Sequence, residues 1–149
     1  MKIRKKFVFA MIAFIFVIVA FYCFWSELKF TAEREVEHYL SSITTDGLSK
    51  ILIWGFGEDV ELSSLEDQEE ILSHLSKITA NMGSHKADTK ALGGIVLEIK
   101  LIYINGNEEK ITLPAFTYPT LLGRQDFYLS IEGEDLWEPF EQYFKLLRN

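Results

Sequence analysis

The side chains that could carry chemistry are three histidines and several groups of carboxylates. Glu70 and His74 are four residues apart in a predicted helix, so they lie on one face and could provide half of a metal site. No histidine belongs to an HExxH pattern, and no further ligand is indicated by spacing. An exposed helix pair is the simpler interpretation. The sequence therefore predicts no metal and no cofactor.

Carboxylates are grouped in three places, at residues 58–61, 66–70 and 132–135. A glycoside hydrolase needs two carboxylates that face each other across a cleft, and closeness in sequence does not indicate such a cleft. An acidic, solvated surface accounts for the three groups. A hydrolase of the cell envelope that uses clustered carboxylates is kept as an alternative.

Other enzyme classes lack their characteristic residues. The sequence has no GxSxG elbow, and its single cysteine, Cys23, lies in an apolar run where a thiol nucleophile would have no substrate. Gly55-Phe56-Gly57 lacks the third glycine and the lysine of a phosphate-binding loop. We therefore expect a protein that is not an enzyme.

Aromatic residues are frequent in the last third of the chain, and one segment combines them with proline. Residues 117–125 are predicted to connect two strands without regular structure, so apolar side chains there would be exposed on a rigid support. The candidate binding residues in and beside it are Phe116, Tyr118, Pro119, Leu121 and Arg124. The alternative is that these side chains fold back over the sheet edge and that Arg124 pairs with a nearby acid.

The elements that must position these residues follow an apolar run of 19 residues, Phe7 to Trp25, without a charge. At about 1.5 Å per residue a helix of this length covers roughly 28 Å, close to the hydrocarbon thickness of a bilayer. A signal peptide is the competing interpretation. The run is longer than a signal peptide requires, no small-x-small site follows it, and Tyr22 stands where a lipoprotein needs a small residue before its cysteine. We expect an uncleaved transmembrane helix.

Charge distribution predicts the orientation of this helix. Four of the 15 Lys and Arg residues and none of the 22 Asp and Glu residues lie in the first 26 positions. Cations before the run favour a cytoplasmic N-terminus and a C-terminal domain outside the cytoplasm. The segment after residue 26 has 11 cations against 22 anions, which argues against nucleic acid as a partner because a net negative charge does not neutralise phosphates.

The predicted organisation is a basic end (1–6), a transmembrane helix (7–25), a juxtamembrane helix and linker (26–46) and an α+β domain (47–149). Hydrophobic periodicity predicts the order helix, two strands, helix, three strands, helix, with about five strands in one antiparallel sheet. The strongest strand covers 95–104, and 80–94 is expected to be a loop. The second helix is expected after a cap at Ser63 or Ser64, with Glu66 or Asp67 as the capping-box partner, and the last helix is expected to start near Asp135. The juxtamembrane helix is expected to be a solvated extension, so the domain should fold alone from residue 45.

One sequence feature resembles a known group of proteins. Leu65-Glu66-Asp67-Gln68-Glu69 opens the first helix of a domain that follows a lysine-rich start and one membrane span. Over Lys50 to Leu147 this arrangement is similar to small surface domains of Gram-positive bacteria, which form families of unknown function that are membrane-anchored or lipoproteins. The resemblance implies no activity and no site residues.

Together these patterns predict a non-enzymatic domain, anchored in the cell membrane by one helix, that binds a protein or an envelope component outside the cell. An envelope hydrolase and an inhibitor or immunity-type protein are the alternatives.

Overall fold

A computed structural model describes residues 2–55, 57–83, 96–131 and 136–147. Most of the predicted loop 80–94, the acidic group 132–135 and the predicted helix start at Asp135 lie outside these ranges. The described helices are α1 (Lys2–Ser42), α2 (Leu65–Leu75) and α3 (Glu138–Leu147). The strands are β1 (Leu48–Gly55), β2 (Glu58–Leu62), β3 (Thr79–Met82), β4 (Leu97–Tyr103), β5 (Glu108–Leu113), β6 (Ala115–Thr120) and β7 (Gly123–Ser130).

Helix α1 is one continuous helix with two different halves. Every side chain from Phe7 to Glu27 is exposed, and this half is long and apolar enough to cross a membrane, with a mean hydropathy of 2.9. Membrane anchors and signal sequences share these two properties. In the second half Ala32, Val36 and Leu40 are buried at helical spacing. The helix therefore joins an apolar, uncovered segment directly to the core.

The strands form two antiparallel sheets, with the orders β2-β1-β4-β5 and β3-β7-β6. The α+β class and the antiparallel arrangement agree with the prediction. The described strands number seven in two sheets, where the sequence predicts about five in one. Strand β3 extends into the predicted loop 80–94, and the end of β6 and the beginning of β7 occupy the predicted connection 117–125.

Side chains alternate between the two faces in the four-stranded sheet. In β4 the residues Leu97, Ile99 and Leu101 are fully buried, while the residues between them are half-exposed. This is the alternation of a sheet that covers a core on one face only. The inward residues share one core cluster with residues of α1, α2, α3 and the three-stranded sheet.

The two shorter helices begin close to where the sequence predicts. Ser64 caps α2, and its side chain accepts a hydrogen bond from the Asp67 backbone N–H, as the predicted capping box requires. Helix α3 begins at Glu138 and buries Phe140, Tyr143 and Phe144. It contacts β2 and α2, so it closes one side of the core.

The second half of α1 belongs to the core, and the expectation of a solvated extension is wrong. Two of its carboxylates also bond to the free edge of β3: Glu37 Oε1 accepts from the Ala80 N–H (3.1 Å) and Glu33 Oε1 from the Met82 N–H (2.8 Å). An edge strand exposes backbone donors that need partners. Here Glu33 and Glu37 of α1 are those partners, although the sequence pattern predicts both side chains to be in solvent.

Candidate functional site

The five predicted binding residues lie in a β-hairpin, so the expectation of an irregular connection is wrong. Strand β6 pairs with β7 from Ala115↔Tyr128 to Thr120↔Gly123, and the turn falls at Leu121 and Leu122. Strand β6 is an edge strand, where a proline such as Pro119 is tolerated. Gly123 ends the turn at φ +90°, a value that a residue with a Cβ rarely adopts.

Two of the predicted residues pack against α1. Phe116 is buried, and its ring lies 6.1 Å from that of Tyr39 between centroids. The Tyr118 ring lies 4.8 Å from the Tyr39 ring and 5.7 Å from the Phe116 ring. These three rings therefore form an aromatic cluster that fastens β6 to the helix, and the sequence gives no direct sign of Tyr39 as its third member.

Hydrogen bonding and burial keep the tyrosines of this region neutral. The Tyr39 hydroxyl donates to Glu109 Oε2 (2.8 Å), and burial together with this carboxylate holds the pKa of Tyr39 far above its usual range. Burial, Glu35 and Glu109 likewise raise the pKa of Tyr118. A phenol with a raised pKa donates a hydrogen bond and does not act as a base near neutral pH.

The other three predicted residues, Pro119, Leu121 and Arg124, are exposed. Leu121 has 80 % of its surface exposed at the centre of the turn. The hairpin thus brings the five residues together in one element, with the buried Phe116 and the half-buried Tyr118 against α1 and the other three exposed. A binding role for them stays a prediction.

Sequence reasoning missed a second surface, on the outer face of the four-stranded sheet. Trp54 is 49 % exposed in β1, and the strand register places Asp59 of β2 on one side of it and Glu98 of β4 on the other. Trp54, Leu52 and neighbouring charged side chains line a surface depression of about 450 Å³. The available signal is the alternation of Lys50, Leu52 and Trp54 with buried isoleucines, which puts the indole on the solvent side.

Ion pairs fix the charged side chains around this depression. Lys50 Nζ lies 2.8 Å from Glu61 Oε2, Lys100 Nζ 2.6 Å from Glu108 Oε2, and Lys110 Nζ 2.6 Å from Glu98 Oε2. The bond from Lys50, followed by one from Ser63, lowers the pKa of Glu61. These pairs are partly exposed, so each stabilises the fold little, but together they order the rim of the depression.

The predicted pair Glu70 and His74 connects two helices. Glu70 accepts hydrogen bonds from the Tyr143 hydroxyl (2.8 Å) and the Gln142 side-chain amide (2.9 Å), whereas His74 Nε2 lies 3.9 Å from its Oε1. The bonds from Tyr143 and Gln142 lower the pKa of Glu70. Within the described ranges, no three His, Cys, Asp or Glu side chains are grouped so that they could hold a metal ion.

Comparison with family models, with curated proteins and with solved structures finds no match to this chain. The similarity to surface domains of Gram-positive bacteria stays an expectation from the sequence. The candidate sites are therefore the β6–β7 hairpin and the outer face of the four-stranded sheet.

Proposed function

We propose that this protein is a single-pass membrane protein whose α+β domain lies outside the cytoplasm and binds a partner without catalysing a reaction. The continuity of α1 supports the membrane anchoring, because its exposed apolar half leads without a break into the half that packs on the core through Ala32, Val36 and Leu40. The cations before the apolar run and the acid-rich segment after it support the orientation.

The binding surface that we propose is the outer face of the four-stranded sheet, and the observation that carries it is the half-exposed Trp54. A tryptophan in a strand normally covers a core, whereas Trp54, near the end of β1, lines an open depression with Leu52. Exposed tryptophans at the centre of a rigid surface are typical anchors of protein interfaces.

The chemistry of the surface favours a partner with a basic segment. A cation above the indole ring is attracted by its π-electrons, and Asp59 and Glu98 lie on either side of that ring. The segment after residue 26 has 11 cations and 22 anions, so its field attracts basic proteins over a longer range. Arginine or lysine side chains of a protein partner fit this surface best.

The carboxylates that an envelope hydrolase would use are arranged differently from a catalytic pair. Asp59 and Glu61 lie on the sheet face, and Glu61 is engaged by Lys50. Glu66 and Asp67 are in the first turn of α2, where negative charge stabilises the helix dipole. Structural roles thus account for Glu61, Glu66 and Asp67, and this supports the non-enzymatic proposal.

A titration with a defined basic probe tests the binding surface. The full-length protein in zwitterionic nanodiscs is titrated with hexa-arginine, with hexa-serine as the control peptide, and the indole N–H signals of the three tryptophans are followed by NMR. We expect hexa-arginine to shift the Trp54 signal. Trp54→Ala or Asp59→Asn should weaken binding about fivefold, since a cation–π contact at an exposed site is worth about 1 kcal/mol.

The matched control is Glu69→Gln, which removes one exposed carboxylate from α2. It should change the affinity less than twofold. If Glu69→Gln weakened binding as much as Asp59→Asn, or if the Trp54 signal did not move, the attraction would be a property of net charge and the proposed surface would be wrong.

A further inference from the structure

The direction of the β6–β7 hairpin relative to α1 follows from two hydrogen bonds. Going from Ala80 to Met82 along β3, the partner on the helix changes from Glu37 to Glu33. Strand β3 therefore runs antiparallel to α1, towards the apolar half of that helix. Strand β7 is antiparallel to β3 and runs away from that half. Its first residue, and the turn before it, are at the end of the sheet nearest the apolar half.

The reach of the hairpin matches the distance to the end of the apolar run. Phe127 pairs with Met82, whose N–H is bound by Glu33. Gly123 precedes Phe127 by four residues of extended strand, up to about 13 Å. Trp25 precedes Glu33 by eight helical residues, about 12 Å. The turn thus extends towards the level at which a membrane-spanning α1 would meet the lipid headgroups.

The exposed chemistry of the turn suits that location. Leu121 has 80 % of its surface exposed, and the turn is held by hydrogen bonds from the Leu122 N–H to Thr120 Oγ1 (3.1 Å) and from Gln125 Nε2 to the Leu122 carbonyl (3.0 Å). Arg124 is exposed and forms no ion pair with any other side chain in the described part of the chain. A leucine in the turn and a guanidinium three residues after it fit the boundary between acyl chains and phosphate groups.

We propose that the β6–β7 turn rests on the outer surface of the membrane, with Leu121 at the headgroup boundary and Arg124 on lipid phosphate. This inference rests on the membrane anchoring proposed above. It gives the domain a second point of attachment beside α1, so the orientation of the Trp54 surface relative to the membrane is fixed. The exposed side chains of the predicted binding segment therefore bind lipid, and the protein partner binds elsewhere.

The chain contains a matched control for this turn. Ile104 is 78 % exposed at the turn between β4 and β5. Its N–H donates to the Gly47 carbonyl. Gly47 follows the last residue of α1, Ser42, by five positions, so Ile104 lies at the end of the domain away from the apolar half of α1. Leu121 and Ile104 thus resemble each other in size, exposure and position in a hairpin, but they lie at opposite ends of the domain.

Spin labelling distinguishes the two ends. Leu121→Cys, Ile104→Cys and Phe16→Cys, each in a Cys23→Ser background, are labelled with a nitroxide in full-length protein reconstituted into vesicles with phosphatidylglycerol. Relaxation by oxygen, which concentrates in lipid, is compared with relaxation by a water-soluble nickel complex. We expect position 121 to show at least a threefold higher oxygen-to-nickel ratio than position 104, and position 16 to show the highest ratio.

The three labels separate the failure of this inference from the failure of the anchoring. A lipid-like ratio at position 16 with equal ratios at 121 and 104 would overturn the contact of the turn alone. A water-like ratio at position 16 would overturn the anchoring, and the turn contact with it. Arg124→Gln should lower the ratio at position 121 at least twofold, and an unchanged ratio would overturn the assignment of Arg124 to lipid phosphate.

Discussion

The two sheets of this domain have the same antiparallel pairing but different surroundings. Helix α1 contacts β3 and β6 of the three-stranded sheet and occupies the backbone donors of its edge. The outer face of the four-stranded sheet is covered by no other described element and has Trp54 among ordered ion pairs. One sheet attaches the domain to its helix and the other presents an open surface, so substitutions on the two should separate stability from binding.

The largest effect is expected where α1 enters the core. Leu40 is almost completely buried, and Leu40→Ala should lower the free energy of unfolding by about 2–5 kcal/mol, because the helix cannot close the cavity left behind. Urea denaturation of the full-length protein in detergent, followed by circular dichroism, measures this. Leu121→Ala is the matched control at an exposed position and should stay within about 0.5 kcal/mol. Equal losses of unfolding free energy for Leu40→Ala and Leu121→Ala would contradict the assignment of Leu40 to the core.

A smaller loss is expected at the edge of the three-stranded sheet. Glu37→Ala removes the acceptor of the Ala80 N–H and should cost about 1–3 kcal/mol, because a partly buried backbone donor loses its partner. Glu37→Gln keeps a side-chain oxygen and should recover more than half of the loss. Glu69→Ala, at an exposed site of α2, is the control. A loss for Glu37→Ala no greater than that for Glu69→Ala would contradict the role of this carboxylate.

Glu70 links α2 to Tyr143 and Gln142 of α3, and this link should depend on pH. The bonds from Tyr143 and Gln142 lower the pKa of Glu70 from its ordinary value of 4.5. A lowered folded-state pKa stabilises the protein above the unfolded-state value, and the effect is lost as pH falls through the folded-state value. Tyr143→Phe should therefore cost about 1 kcal/mol at pH 7 and less at pH 3.

Thermal melts of the wild type and of Tyr143→Phe at several pH values measure this difference. The two melting temperatures should converge as the pH falls below 4.5 and through the lowered folded-state pKa of Glu70. A gap between them that stayed constant from pH 7 to pH 3 would show that the charge on Glu70 does not contribute to the link.

The smallest effect on stability is expected on the outer face of the four-stranded sheet. Trp54→Ala removes a half-exposed ring that lies on the solvent side of this sheet, away from the core. It should therefore change the free energy of unfolding by at most about 0.5 kcal/mol. Its effect on binding of hexa-arginine should be several times larger than its effect on folding. A loss of more than about 2 kcal/mol in urea denaturation would assign Trp54 to the fold and contradict its role as a binding residue.

Local sequence patterns were sufficient to predict much of the fold. The alternation in Leu97–Tyr103 and the Ser64 cap both predict their elements, because the deciding contacts are within a few residues. Strand β3 has four residues next to a glycine, too few for a clear alternation. Pro119 suggested an irregular segment, and only the edge position of β6 explains why a strand accepts it.

The surfaces were harder to predict than the elements. Glu33 and Glu37 look like solvated helix residues, since their backbone partners are more than 40 positions away. The alternation in β1 separates Trp54 from the buried isoleucines, but only the strand register shows that Asp59 and Glu98 lie on either side of it. Periodicity identifies a face of a helix or strand, but which faces meet is decided by contacts between distant segments.

The second half of α1 belongs to the folded domain, and two fragments, residues 27–149 and residues 45–149, can be compared to test this by near-ultraviolet circular dichroism and urea denaturation. The longer fragment should unfold cooperatively. The shorter one lacks Ala32, Val36 and Leu40 and both carboxylates on β3, so it should retain backbone signal without fixed tertiary structure. Cooperative unfolding of the shorter fragment within about 1 kcal/mol of the longer one would contradict the claim.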